Sequence, residues 1–438
     1  FTDTCRAYFF DGEVSMKLWQ YLQKKMAPYA ERIAFARAGV TYADLLAYAT
    51  GDSGGKLVLC SGSSREEQAL AILRCIAGGN VAVPASMEYG KQLFAEMERT
   101  VQFSEEIFTD LAFLMFTSGT TGKPKGVMLT DENIIANLEG IASYFRLEGM
   151  KRICIARPLL HIAVLTGELL YALCCGLTIH FYEEPFMPQR LLSFLYKNDI
   201  DVFCATPTLY TALAQTIKKE QKPFLVKVAA LSGEVLEEKT GEFLTRNLPE
   251  TSFYNVYGLT EHSPRVSALA PGEFRIRPNS IGKAIHGVTM KIEQGELLVR
   301  SPCVMRGYFH DKDATEKKIV SGWLHTGDMA HTDAEGFYYI DGRKDDMIIR
   351  AGLNIYPVEI EAAARTCAGV DDCVVYGKSS EKGGTEIVIE YIGTAEALKL
   401  RRILTGCLDP HKMPNIFIKK EKLECTPSGK KLHKQKTK

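Results

Sequence analysis

The sequence predicts an α/β protein: a large N-terminal domain of α/β subdomains with a β-rich subdomain, followed by a small α+β C-terminal domain. Three observations carry this expectation. In the first half, amphipathic helix-length stretches alternate with short apolar runs, the rhythm of open sheets covered by helices. From about Ser280 the texture turns to short strand-like runs between Gly- and Asp-rich turns. After Arg343 a compact mixture of both patterns closes the chain. At 438 residues the chain exceeds one ordinary core, so two domains are expected.

Taken in order, MKLWQYLQKKM reads as a helix by its apolar spacing and KLVLC as a short buried strand. EEQALAILRCIAGG reads as a helix stopped by glycines, and VAVPA as a further strand. LLSFLYKN, DVFCATPT, KVAALSG and FYNVYG continue the alternation. LSG and VYG are strand ends followed by glycine, where open α/β sheets bind ligands. GELLVRS, GFYYIDG and DDMIIRAG are the short strands of the β-rich region. In YPVEIEAAARTC a proline stands at a helix start, and CVVYG and EIVIEYIG read as strands. The domain boundary is expected at Gly342 to Asp345, giving domains 1–342 and 346–438.

Lys plus Arg equals Asp plus Glu at 53 each, so no net field recruits nucleic acid or anionic lipid. The lysine-rich end, Lys419 to Lys438, reads as a solvated tail. Twelve cysteines occur without a CxxC pair, which supports neither a metal cage nor a disulfide framework. Reduced thiols in a cytoplasmic protein are expected. The chain begins at Phe1 without methionine, as if trimmed, and shows no signal-peptide pattern. LLHIAVLTGELLYALCCGLTIHFY, 159–182, is the one membrane lookalike; Glu168, glycines and histidines interrupt it, so a buried helix running into a core strand is expected and no membrane span.

FTSGTTGKPKG, 116–126, follows the apolar strand LAFLMF and concentrates glycines, hydroxyls and lysines as a phosphate-holding loop does. It is not a Walker loop, because Pro124 follows Gly122-Lys123 where a magnesium-binding hydroxyl is required. YGLTEH (257–262), GWLHTGD (322–328), GRKDDMIIRAGLNIYPVEIE (342–361) and TPSGKK (426–431) follow in that order. Together these five motifs resemble the core motifs of the AMP-forming adenylate-forming superfamily: acyl- and aryl-CoA synthetases, nonribosomal peptide adenylation domains and luciferase. The resemblance runs from about residue 17 to 433.

The resemblance implies that a carboxylate attacks the α-phosphate of ATP, releasing pyrophosphate and forming an acyl-AMP. A pantetheine thiol, of CoA or of a carrier protein, then displaces AMP as a thioester. Thr117, Ser118, Thr120, Thr121 and Lys125, with the backbone of Gly119 and Gly122, are implied to hold the leaving β,γ-phosphates. Gly233 and Glu234 are implied at the nucleotide, Tyr257 against adenine and Asn255 at its amino edge. Thr260 would bond the α-phosphate and Glu261 would help hold Mg²⁺. Asp328 would accept the ribose hydroxyls, with Arg343 beside it. Asp345 matches a hinge position (343–345) about which the small domain, mobile in this family, swings. Lys430 would bridge carboxylate and α-phosphate in adenylation, with Lys431 as its neighbour. Read alone, RKDD is a charged surface turn and Lys430 one more lysine of a basic tail; only register with the motifs separates the two readings.

For the acid, amino-acid-activating members carry an aspartate that RPLLHIAVLTGELL lacks; His161 stands where acyl and aryl ligases place a histidine or aromatic. An acyl or aryl acid with an uncharged tail is therefore expected, bordered by His161, Thr208, Ser232, Val256 and Gly258, the glycine keeping the pocket floor open. Glu168 could substitute for the missing aspartate, which keeps amino-acid adenylation as an alternative; a non-catalytic nucleotide-binding protein is the second. The stretch between VAVP and the loop strand is shorter than usual for the family, KSSEKGGTEI (378–387) replaces its usual segment, and Ala351-Gly352 stands for a glycine pair. The choice between CoA and a small acyl or peptidyl carrier protein as acceptor stays open.

Overall fold

The computed structural model describes residues 16–49, 55–85, 108, 110–117, 125–350, 353–379 and 385–424. The chain divides into two compact units, Phe1–Met290 with Val299–Leu324, and Lys291–Leu298 with His325–Lys438. The expected boundary at Gly342 to Asp345 lies within the second of these.

The first unit contains two sheets. The larger has nine strands in the order Lys283–Ala284, Arg265–Leu269, Ser252–Gly258, Val228–Leu231, Val202–Ala205, Arg152–Ile155, Thr178–Phe181, Ile33–Phe35 and Val40–Thr41. From Ser252–Gly258 to Ile33–Phe35 every neighbour is parallel. All carboxyl ends of that run therefore open on one side, with loops leading into helices. Thr206 caps the helix Pro207–Glu220 by accepting from Leu209 N, and Pro207 at the first turn has no N–H to lose. Val202–Ala205 and Val228–Leu231 are buried throughout, as strands covered on both faces must be. The smaller sheet runs Gly307–Tyr308, Lys125–Thr130, Leu111–Thr117, Val81–Pro84 and Leu57–Cys60.

The membrane lookalike is a buried helix followed by the core strand Thr178–Phe181, as its interruptions suggested. Its middle, Leu165–Leu170, is a π-helical stretch in which every residue is buried. Among the described residues no helix is long and apolar enough to cross a membrane. Leu57–Cys60 corrects an expectation. Among the described residues it is an edge strand with Val58 exposed, because only one flank is paired there and a short apolar run does not reveal its neighbours.

In the second unit, Val370–Ser379 pairs antiparallel with Thr385–Gly393, which pairs parallel with Ile416–Lys419. The helices Pro357–Arg365 and Ala397–Cys407 supply Ile360, Ala364, Leu400 and Leu404 to a core with Val375, Ile387, Ile389 and Tyr391. Each fully buried aliphatic side chain here contributes about 1.5–3 kcal/mol relative to exposure. The β-rich pattern seen in the sequence is real: Thr289–Glu293, Glu296–Arg300, Trp323–Thr332 and Tyr338–Arg343 share one sheet.

Candidate active site

In the first unit the predicted residues gather where three parallel strands end. Leu231 is level with Ala205 on one side and Asn255 on the other, so Thr206, Ser232 and Val256 follow at neighbouring ends. Ser232 N donates to Ala205 O at 3.2 Å. Thr208 donates its hydroxyl to Glu234 Oε2 at 2.6 Å and its backbone N–H to the same oxygen at 3.2 Å. Val256 is buried and Tyr257 partly accessible. Asn255 is buried and donates both amide hydrogens, to Pro278 O (3.2 Å) and Ser280 O (2.8 Å). Its oxygen is the acceptor left to that side chain, the polarity an exocyclic amine requires.

Gly258 is required by a close approach of the backbone. A Cβ there would stand 2.0 Å from the Pro264 carbonyl oxygen, and Leu259 N donates to that same oxygen at 3.0 Å. The glycine lets the chain fold back on the strand end, forming the turn Thr260–His262. His262, fully buried, pins this turn. Its Nδ1–H donates to Arg265 O at 2.9 Å, which leaves Nε2 to accept from the Ser301 hydroxyl at 2.6 Å. Burial holds its pKa down at about 4, so the imidazole is neutral and the arrangement stable at neutral pH.

Thr117 and Lys125 face each other across an antiparallel pair and bracket the phosphate loop. Ser118, Gly119, Thr120, Thr121 and Gly122 lie outside the described residues, as does Lys430. Lys125 reaches the Thr260–Glu261 motif through a residue the sequence reading passed over. Tyr308 donates its hydroxyl to Glu261 Oε1 at 2.7 Å, and the Lys125 ammonium stands over its ring, 4.9 Å from the centroid. Pairing of Gly307–Tyr308 with Lys125–Thr130 sets this up. RGY in the sequence gave no hint of a long-range partner.

His161 precedes the helical stretch Ile162–Val164. The ring remains reachable by water, yet desolvation, then the charge of Arg157, lowers its pKa below the ordinary imidazole value. Arg157, also missed, binds Glu168 Oε1 through Nε (3.1 Å) and Nη2 (2.5 Å), and Ser232 Oγ through Nη1 (2.9 Å). Glu168 is fully buried; desolvation raises its pKa against the opposing pull of Arg157 and Arg265. Its carboxylate is thus committed inside the protein, which counts against a role as partner of a substrate ammonium.

In the second unit Asp328 and Arg343 are cross-strand neighbours, and Arg343 Nη1 donates to Asp328 Oδ1 at 2.9 Å. The register contains one extra residue, Asp341, since Met329 pairs with Gly342 and Ala330 with Ile340. Glu296, unremarked in GELLVR, gathers three donors: Gly327 N (3.0 Å), Lys344 Nζ (2.8 Å) and His325 Nδ1 (3.3 Å). Desolvation pushes its pKa up, but these donors outweigh it and hold the carboxyl below its ordinary value. Asp345 lies exposed in the turn Lys344–Asp346 directly after the pair.

Polar residues gathered at parallel-strand ends, with the strand Lys125–Thr130 tied through Tyr308 to Glu261, are the arrangement to compare with known proteins. The model of the AMP-binding enzyme family matches residues 40–309. The chain belongs to that family, and so to the adenylate-forming superfamily its motifs resemble. It is 33% identical to a long-chain-fatty-acid–CoA ligase of Bacillus subtilis over 74% of this chain and 61% of that protein, so it spans about three-fifths of that relative. It is 32% identical to a 2-succinylbenzoate–CoA ligase of Listeria monocytogenes over 73% of this chain and 68% of that protein. The o-succinylbenzoate CoA synthetase of Bacillus subtilis, solved with its acyl-adenylate intermediate, superposes with a TM-score of 0.82 at 25% identity, covering 97% of this chain and 99% of that one.

Proposed function

We propose that the protein activates a carboxylic acid with ATP and passes the acyl group to a pantetheine thiol. The observation that carries this reading is the meeting of Lys125 and Glu261 at Tyr308, which joins the phosphate-loop strand to the acidic motif at the end of the neighbouring sheet. In the first half-reaction a carboxylate oxygen attacks the α-phosphorus and pyrophosphate leaves. In the second the thiol sulfur attacks the acyl carbon and AMP leaves.

Lys125 would meet the β,γ-phosphate oxygens and Thr260 the α-phosphate. Asn255, by its oxygen, and Tyr257, by its ring, suit adenine; Asp328 and Arg343 suit the ribose. Glu261 is a hard oxygen donor with one carboxylate oxygen engaged by Tyr308, which fits a single-point hold on Mg²⁺. Among the described residues no cluster of three His, Cys, Asp or Glu side chains could hold a metal, so Glu261 is the one Mg²⁺ ligand proposed from the protein. When bound, that ion neutralises charge on the phosphates. Asp345 is the proposed hinge and Lys430 the proposed adenylation residue.

CoA and a carrier-protein arm remain distinct acceptors to be offered in parallel. The amino-acid alternative is disfavoured by the commitment of Glu168 to Arg157. The test is acid-dependent exchange of labelled pyrophosphate into ATP across a panel of acyl, aryl and amino acids. Exchange with acyl or aryl acids is expected, and none with any acid refutes the reading. Lys430→Ala should slow exchange by about 10²–10³-fold; an unchanged rate would return that lysine to the basic tail and favour a different catalyst.

A further inference from the structure

The polar cluster around Arg157 is built in a way that an uncharged acid tail leaves unexplained. Arg157 lies two residues beyond the strand Arg152–Ile155, Ser232 one beyond Val228–Leu231, and Val202–Ala205 runs between those strands. The guanidinium therefore crosses the end of the middle strand to reach Ser232 Oγ at 2.9 Å. It lies at the carboxyl ends of the sheet, where open α/β folds bind their ligands. Its Nη1 is 4.0 Å from the point where a Cβ on Gly233 would stand.

Glu168 clamps the opposite edge of the guanidinium through one carboxylate oxygen, which fixes the orientation of the fork. From the other side Arg265, also buried, presses on the same π-helical stretch. Its Nη2 lies 2.6 Å from the place a Cβ on Gly167 would occupy, so any side chain there would displace it. Glu168 pairs with Arg157, while Arg265 acts on it through its charge alone. Thr166 Oγ1, Glu168 Oε2 and Arg265 Nε are buried without a hydrogen-bond partner among the described residues.

An excess buried cation with unsatisfied polar atoms around it is costly away from water and is offset by a bound anion. We propose that Arg157, oriented by Glu168 and Ser232, is the specificity-determining residue of the acid pocket, and that the acid activated carries a second anionic group on its tail. This departs from the uncharged tail expected from sequence and rests on the acid-activating reading above. An apolar tail directed at this floor would strip water from the guanidinium and return no acceptor. A second carboxylate would bring two oxygens to the N–H groups that Glu168 and Ser232 leave on Arg157.

The experiment measures kcat/KM for acid-dependent pyrophosphate–ATP exchange with pentanoate, hexanoate and octanoate against glutarate, adipate and suberate, and benzoate against terephthalate. The expected result is a preference for the dicarboxylate of about ten- to a hundredfold in at least one matched pair, the worth of a hydrogen bond to a charged group. The double variant Arg157→Met/Glu168→Leu replaces the pair by apolar side chains of similar size and should abolish or invert that preference. Arg157→Lys, which keeps the charge and loses the fork, should retain the sign of the preference at reduced size.

Equal or better use of the monocarboxylates by the wild-type protein overturns the inference, as does a dicarboxylate preference that the double variant leaves intact. Should the double variant fail to fold, Arg157→Lys and the wild-type ratios decide alone. Absence of exchange with every acid, together with no thermal stabilisation by MgATP, refutes the acid-activating reading itself. Exchange confined to apolar acids refutes only the role given to Arg157.

Discussion

The crevice of the first unit and the hairpin of the second hold their charged residues by opposite means. At the crevice both members of the ion pair are inside: the Glu168 side chain is 0% exposed and that of Arg157 13%. At the hairpin only the acids are inside. Asp328 and Glu296 are 8% and 7% exposed, while their partners Arg343 and Lys344 are 37% and 55% exposed. Buried pairs are expensive to break and indifferent to salt, whereas pairs with one wet partner are worth little and are screened. The first unit therefore keeps its charges as a fixed part of the pocket, and the second keeps cations that can exchange one partner for another.

The contrast is broken most severely at Glu168. Glu168→Leu should cost about 3–5 kcal/mol in urea unfolding, because the Arg157 guanidinium loses its buried partner. Adding Arg157→Met should recover more than half of the loss, and neither result should depend on salt. A loss below about 1 kcal/mol would mean that water already reaches the pair and that the two regions are alike.

Next in size is Asp328→Asn. If the hairpin acid serves the ribose, MgATP affinity by calorimetry should fall about ten- to a hundredfold. An unchanged affinity would reduce the Asp328–Arg343 pair to a structural contact.

The smallest effect is expected at Glu296. Its carboxyl is held below the ordinary value, so its contribution is complete above the unfolded pKa of about 4.3 and is lost as pH falls through the lower folded value. Glu296→Gln should cost about 1 kcal/mol at neutral pH, discounted for the exposure of Lys344, and should flatten the acid limb of stability. High salt should shrink the difference. A salt-independent loss would move Glu296 to the buried side of the comparison.

How much of this was legible depended on the range of the interaction. The helix ending in Gly78, the strands Val81–Pro84 and Val228–Leu231, and the helix begun by Pro357 follow from local pattern and were read from sequence. The edge position of Leu57–Cys60 was not, since an apolar run does not say whether both flanks are paired. Asn255, Thr208 and Ser232 lie within or just beyond strands that the local pattern reveals, and the structure sets those strands side by side. Their partners were invisible. Arg157 meets Ser232 only because the sheet places two other strands around Val202–Ala205, and Tyr308 meets Glu261 only through a two-residue strand added to the smaller sheet. Gly258 was recognised, but its reason, the approach of the Pro264 carbonyl, depends on a turn whose course the sequence does not spell out.

The extra residue in the hairpin, Asp341, works as a spacer. Beyond it Ala330 faces Ile340, and carrying that register forward with Asp341 paired in the ladder would set Gly342, not Arg343, opposite Asp328. Carboxylate and guanidinium meet only while Asp341 stays out of the ladder. Drawing Asp341 into pairing with Met329 would silence the pair while leaving both of its members in the sequence, a loss that no comparison of motif letters would reveal.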